Sequence, residues 1–200
     1  MIKILSLSGS PVPHSSTDII LEMISTAIVN EIKKHKEIST AFIKLNEFSF
    51  IPCQACGKAP TDKFCFYNDL DEIYQLIESC DCLLFGSPIY FDSVSAQAKL
   101  LIDRCNCFRP VDFNKTDPEH YFIKRIKRKR PGAMVLVGQS WFEGARRVLA
   151  GFFKWVEVTN EGLITFTSSD DLTIGQAKND KSVIEQTNQL GKHLTSLLLK

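Results

Sequence analysis

Cys82-Leu83-Leu84-Phe85 is an unbroken apolar run that stops at Gly86-Ser87-Pro88. A strand with one wet face alternates apolar and polar residues; a run without alternation reads as a central parallel strand covered on both faces. Residues 2–7 and 133–137 are similarly aliphatic, and the second also ends at a glycine, Gly138. Further strands are expected at 40–45 and 163–167. The intervening segments have helical spacing. After Ser15-Ser16-Thr17-Asp18, apolar residues recur at Ile19, Ile20, Met23, Ile24, Ala27, Ile28 and Ile32. Residues 69–79 put Ile73, Leu76 and Ile77 on one face; helices are also expected at 95–105, 145–156 and across 175–199. Strand alternating with helix implies right-handed crossovers and a doubly wound α/β parallel sheet with helices on both faces.

The chain has 200 residues, enough for one domain spanning 1–200 with a large core, and shows no internal repeat or linker. A net charge of +1 points to no polyanionic or membrane partner, so neither nucleic acid nor membrane is expected. Met1-Ile2-Lys3-Ile4-Leu5 has no basic segment ahead of a long apolar stretch, and no run is long enough to cross a bilayer, so a cytoplasmic location is expected. Seven cysteines, an odd number, argue against a secreted disulfide framework.

In open α/β sheets, ligands sit outside the carboxyl ends of the strands. Three segments at those ends are unusual: 8–17, 86–95 and 138–144. The first leaves a core strand, carries five hydroxyls and opens a helix, whose N-terminal amides and dipole suit a phosphate. It lacks both the lysine of a triphosphate P-loop and the glycine spacing of a dinucleotide fold. A hydroxyl-rich cap with nothing bound is the alternative. The second segment, Gly86-Ser87-Pro88-Ile89-Tyr90-Phe91-Asp92-Ser93-Val94-Ser95, sets aromatic and aliphatic groups beside backbone amides. That suits a flat heterocycle needing both stacking and in-plane hydrogen bonds; aromatic packing under the next helix is the alternative.

Leu7-Ser8-Gly9-Ser10-Pro11 with Ser16-Thr17 resembles the phosphate loop of the NAD(P)H-dependent FMN reductase family. Phe85-Gly86-Ser87-Pro88-Ile89-Tyr90-Phe91, continued by Val94-Ser95-Ala96-Gln97, Lys99 and Ile102-Asp103-Arg104, resembles that family's flavin-ring loop and following helix. The match covers residue 1 to about residue 105, and the iron–sulfur flavoprotein subgroup is the most similar. The resemblance implies a flavodoxin-like, doubly wound, five-stranded parallel sheet and bound FMN. It implies that Ser10, Ser15, Ser16 and Thr17 hold the phosphate and that Pro88, Ile89, Tyr90 and Phe91 line the ring. Gly138, Gln139 and Ser140 then stand opposite or at the ring edge, although Trp141-Phe142 replaces the small residues usual there. NAD(P)H is the implied electron donor, and a quinone, a flavin or another small molecule the acceptor. The alternatives are an electron-transfer module fed by a protein donor and a non-enzymatic flavin and thiol sensor. Because the flavin carries the redox chemistry, no catalytic acid or base is assigned; His14 reads as a solvated or capping residue. Relatives often dimerise across the flavin, so a homodimer or homotetramer is expected, with 106–120 as a candidate contact.

Iron–sulfur flavoproteins carry a compact four-cysteine motif near residue 53. Here Cys53, Cys56 and Cys65 remain, and Ala59 stands where the third cysteine would be. Three thiolates are one short of the usual cluster ligand set. A vestigial or redox-sensitive loop without metal is expected, with a zinc site completed by a remote ligand as the alternative. Cys80, Cys82, Cys105 and Cys107 read as buried packing groups. The run 124–130 carries six basic residues in seven and reads as a solvated face, the alternative being contact with nucleic acid or the phosphate of NADPH.

Overall fold

The computed structural model describes residues 1–57, 60, 62–114, 121–169 and 173–200. Five parallel strands form the sheet in the order β2 (Ile38–Lys44), β1 (Ile2–Ser8), β3 (Cys82–Tyr90), β5 (Arg130–Val137) and β6 (Val158–Phe166), while the short β4 (Ser93–Val94) pairs antiparallel with β3. This is the flavodoxin-like strand order, as expected. Alternation along β3 divides the interior. Cys82 and Leu84 join Ile4, Ala133 and Val135 under α1 (Ser16–Ile32) and α5 (Lys181–Leu198). Leu83 and Phe85 join Leu5, Leu7, Met134 and Leu136 under α2 (Asp71–Ser79), α3 (Ala96–Arg104) and α4 (Glu143–Trp155). Burial on both sides is why the β3 sequence needs no polar alternation.

Local chemistry sets the helix starts. Ser15 caps α1 through a reciprocal pair: its Oγ accepts from the Asp18 amide, and Asp18 Oδ2 accepts from the Ser15 amide, both at 3.2 Å. Ser95 Oγ caps α3 by accepting from the Ala98 amide, and Asp180 caps α5 through Val183. The Asp180 cap also splits the expected final helix into a 3₁₀ turn, Gln176–Asn179, and α5.

Three expectations are revised. β3 extends to Tyr90 and doubles back into β4, so 86–95 is largely a hairpin and the sheet gains a sixth strand. β6 starts at Val158, well before residue 163; it pairs only with β5, and an edge strand tolerates the polar Thr159, Asn160 and Glu161. β5 begins at Arg130, so the basic run ends inside the sheet. Among the described residues, no helix is long and apolar enough to cross a membrane.

Candidate functional site

The chain leaves β1 toward one side of the sheet and β3 toward the other, which opens a crevice at their carboxyl ends. The three expected segments meet there. The Gly9 amide donates to the Gly86 carbonyl at 2.8 Å, and Ser95 Oγ donates to the Gly9 carbonyl at 2.7 Å. The Gly144 amide donates to Asp92 Oδ1 at 3.0 Å, joining the third segment to the β3–β4 hairpin. Gly86 is needed for this closeness: a Cβ there would stand 2.7 Å from Thr17 Cγ2 and 2.8 Å from Leu21 Cδ1. Without a side chain at Gly86, the start of α1 packs directly on β3.

At the phosphate end, Ser10, Ser16 and Thr17 are buried and Ser15 is half-buried. Ser10 Oγ is turned onto its own loop, donating to the Val12 carbonyl at 3.3 Å. Ser15 Oγ accepts the capping bond and Ser16 Oγ accepts from the Ala177 amide at 3.3 Å, which leaves both hydroxyl protons able to donate outward. The amides of Ser16 and Thr17 occupy the first turn of α1, where no intrahelical acceptor exists. Among the described residues, nothing hydrogen-bonds the Thr17 hydroxyl. Aligned amides, a helix dipole and hydroxyl donors together fit a phosphate.

Asp18 adds a buried carboxylate to the same turn, and a bare negative charge beside a phosphate would repel it. Lys44 Nζ neutralises that charge at 2.6 Å from Asp18 Oδ2, and Ser8 Oγ donates to Oδ1 at 2.5 Å. Lys44 Nζ also donates to the Val12 carbonyl at 2.8 Å, tying the loop to β2. Sequence reasoning missed Lys44. Its only signal is position, as the last residue of the strand beside β1.

At the ring end, Pro88 and Ile89 are half-buried, whereas Tyr90 and Phe91 stand at the hairpin tip with Phe91 fully exposed. Phe91 and Asp92 have φ of 51° and 56°, the backbone of a type I′ turn, a conformation that normally selects Asn or Gly. Across the crevice, Gly138 sits against Ile89, and its amide donates to the Phe166 carbonyl at 3.0 Å. Gln139 and Ser140 are exposed beside it. Trp141 follows with φ 59° and a side chain 78% exposed, while Phe142 turns into the core. His14 is exposed on the phosphate loop with φ 55°.

Residues 2–158 match the model of the NADPH-dependent FMN reductases. The chain belongs to that family. Curated relatives of this FMN reductase family member include an iron–sulfur flavoprotein of Methanocaldococcus jannaschii, 27% identical over 98% of this chain and 97% of the relative. Another, from Methanosarcina thermophila, is 24% identical over 98% of this chain and 95% of the relative. The similarity therefore continues well past residue 105. Among solved structures, an azoreductase of Bacillus anthracis has a TM-score of 0.66 at 13% identity, covering 98% of this chain and 100% of the other. An archaeal flavodoxin has a TM-score of 0.59 at 10% identity, with full coverage of both chains. At those identities the structures show the shared fold.

The cysteines of this family member divide into two groups. Cys80, Cys82 and Cys105 are buried in the core, and burial pushes all three thiols up, as expected of inert packing groups. Cys107 packs against the same core, as expected of it. It is half-buried, and with Cys53, Cys56 and Cys65 it lines one cavity of about 250 Å³. Burial, followed by the neighbouring Cys65, pushes its thiol up to about 12. Both lie on the 3₁₀ turn Cys105–Phe108 at the end of α3, Cys105 fully buried and Cys107 half-buried at the cavity. Arg104 lines the same cavity. It spans Asp69 at 2.5 and 2.8 Å, the Ile51 carbonyl at 2.8 Å and Cys65 Sγ at 3.7 Å, while its Nε has no partner. Ala59, the expected gap in the motif, lies outside the described residues, as do positions 115–120 of the candidate contact segment.

The basic run is only partly a solvated face. Arg128 donates to the carbonyls of Ser79 and Cys80 and pairs with Asp81 at 2.6 Å. The buried Arg130 donates to the carbonyls of Glu78 and Cys80, and through its other nitrogen to Val156. The carbonyls of Glu78, Ser79 and Cys80 end α2 and that of Val156 ends α4, where cations satisfy free acceptors and oppose the helix dipole. Arg125 reaches the carbonyls of Lys63 and Pro60, and Lys127 and Lys129 remain exposed.

Proposed function

We propose that this chain binds one FMN in the β1–β3 crevice and passes electrons from NAD(P)H to a small acceptor such as a quinone or a free flavin. The observation that carries the reading is the turn opening α1: acceptor-free amides of Ser16 and Thr17, the Thr17 hydroxyl and a neutralised Asp18, all beside a glycine-permitted contact with β3. In this reading Ser10, Ser15, Ser16 and Thr17 hold the phosphate. Pro88, Ile89, Tyr90 and Phe91 line one side of the ring, and Gly138, Gln139 and Ser140 line its other edge. FMN supplies hydride and single-electron chemistry when bound. The chain's own contribution is to anchor, orient and partly shield it: Ile89 packed against Gly138 closes the floor of the crevice, and the exposed hairpin tip leaves an approach for donor and acceptor. No side chain is assigned a proton-transfer role.

The test is anaerobic addition of NADH or NADPH to the FMN-loaded protein, followed by visible absorbance. Bleaching within seconds and recovery on adding a quinone support the reading; a spectrum unchanged by either nucleotide contradicts it. The four-thiol cavity favours a second reading, in which electrons arrive from a protein donor. In that case only a reduced iron–sulfur or flavin protein would bleach the flavin.

A further inference from the structure

Among the described residues, six other than glycine have positive φ, and three of them, Phe91, Asp92 and Trp141, stand at the ring end of the crevice. A large side chain in that region costs energy that the surrounding structure must offset. For Phe91 and Asp92 the offset is visible: they form the turn of the β3–β4 hairpin, and Asp92 Oδ1 accepts from the Gly144 amide at 3.0 Å. That bond also serves the start of α4, whose N-cap Phe142 contributes no side-chain acceptor. Trp141 has no such offset. Its side chain is 78% exposed, and among the described residues its indole neither stacks on another ring nor hydrogen-bonds. An exposed large side chain alone needs no explanation; one held in a strained backbone without a partner does.

The placement is fixed from both sides. Ile89, two residues before Phe91, lies against Gly138, three before Trp141; a Cβ added at Gly138 would stand 3.0 Å from Ile89 Cβ. Asp92, next after Phe91, meets Gly144, three after Trp141; a Cβ added at Gly144 would stand 1.9 Å from the Asp92 carbonyl oxygen. Phe91 and Trp141 are thus bracketed by two close contacts between the same two walls. Phe142 packs on the core and pins the chain beside Trp141. The neighbouring Gln139, Ser140 and Asp92 are polar and exposed, so the apolar surface is interrupted. That is too little for a stable protein interface and suits a flat small molecule.

We infer that Trp141 is the stacking platform for a planar aromatic electron acceptor, holding it at the mouth of the crevice with Phe91 on the facing wall. The inference rests on the FMN reading above and adds the class of acceptor to it: a flat, fused-ring compound such as a naphthoquinone, preferred to a small inorganic oxidant. Indole offers a large aromatic face, and offset stacking on it favours a fused ring system. The strained backbone holds the indole outward before anything binds, so little side-chain freedom is lost when the acceptor stacks.

The test uses the full-length, FMN-loaded protein. Calorimetric titration of the oxidised protein with menadione, a naphthoquinone, in the absence of NAD(P)H reads acceptor binding alone. Trp141→Gly relieves the strained backbone and so keeps the fold; it should weaken menadione binding by about fivefold or more, whereas Trp141→Phe, which keeps a ring, should stay within about twofold of the wild type. In turnover with NADPH, the KM for menadione should rise by a similar factor in Trp141→Gly, and the KM for ferricyanide, which has no ring to stack, should not follow it. Equal menadione affinity in the wild type and Trp141→Gly overturns the inference, as does a parallel rise in both KM values. A change in FMN affinity or flavin fluorescence in Trp141→Gly also overturns it, since the indole would then lie on the flavin. Those failures leave the FMN reading standing; a wild type that retains no FMN removes both.

Discussion

The turn that opens α1 and the thiol cavity at the end of α3 are both organised around an ion pair between distant segments. In the turn, Lys44 meets Asp18 with side chains 11% and 6% exposed; at the cavity, Arg104 meets Asp69 with side chains 1% and 24% exposed. They differ in what the pair supports. Around Asp18 nearly every other group comes from one stretch, residues 8–18, and the pair corrects a charge that stretch creates. Around Arg104 the thiols themselves come from separate segments, and the pair forms part of the wall. One site is local with a single remote correction, and the other exists only once the chain has folded.

Removing the remote member should therefore have different consequences at the two places. Arg104→Met should have the largest effect, lowering unfolding free energy by about 4 kcal/mol in denaturant titration, because it strands Asp69 and the Ile51 carbonyl at once. Asp69 adds a pH signature. Its hydrogen bond from Arg104 holds its carboxyl below the ordinary carboxylate range. A depressed folded-state value gives stability that is fully present above the unfolded value, about 3.9, and is lost as pH falls through the folded one. The stability gap between wild type and Asp69→Asn should thus be full at pH 6 and close in acid. A gap independent of pH would mean that the pair contributes shape and no charge.

Lys44→Met should cost somewhat less, about 3 kcal/mol, and should also weaken FMN binding, since Asp18 then faces the phosphate uncompensated. The double variant Asp18→Asn with Lys44→Met should recover most of the lost affinity in fluorescence titration. Additive losses would show that Lys44 acts on the loop through the Val12 carbonyl and that its charge is incidental. Thr17→Val keeps the methyl packed near Gly86 and deletes only the hydroxyl. A hydrogen bond to a charged phosphate is worth about 1.5–3 kcal/mol, so FMN should bind at least tenfold more weakly without loss of stability. The smallest change is expected from Trp141→Gly. A bulky residue in the left-handed region costs about 1–2 kcal/mol and glycine returns part of that as lost entropy, so flavin-free protein should gain about 0.5 kcal/mol. A loss instead would show that Trp141 packs on the folded chain despite its exposure.

The sheet was legible because Cys82-Leu83-Leu84-Phe85 and residues 133–137 are unbroken apolar runs each followed by glycine, and residues 2–7 are mostly aliphatic and lead into Ser8-Gly9. The capped start of α1 was legible because Ser15 and Asp18 are three residues apart and bond to each other. The β3–β4 hairpin was missed because a two-residue turn of Phe91-Asp92 carries none of the glycine or asparagine that marks such turns, and φ there is set by surrounding contacts such as Asp92 to Gly144. The start of β6 was missed because an edge strand lacks the pattern of a buried one. Lys44 and Cys107 left no local trace. Each acts 26 or more residues away from its partner in sequence, on Asp18 and around Cys65 respectively, and only the fold brings them together. The basic run misled because charge in a sequence says nothing about which backbone carbonyls lie within reach.

The central claim is that the crevice between β1 and β3 holds FMN. The most direct measurement is to purify the protein, reconstitute it with a mixture of FMN and FAD, remove unbound flavin, release the bound cofactor by heat and identify it by chromatography and mass spectrometry. One FMN per chain, lost or sharply reduced in Thr17→Val, is the predicted result. FAD in place of FMN, or no flavin retained after reconstitution, would contradict the account.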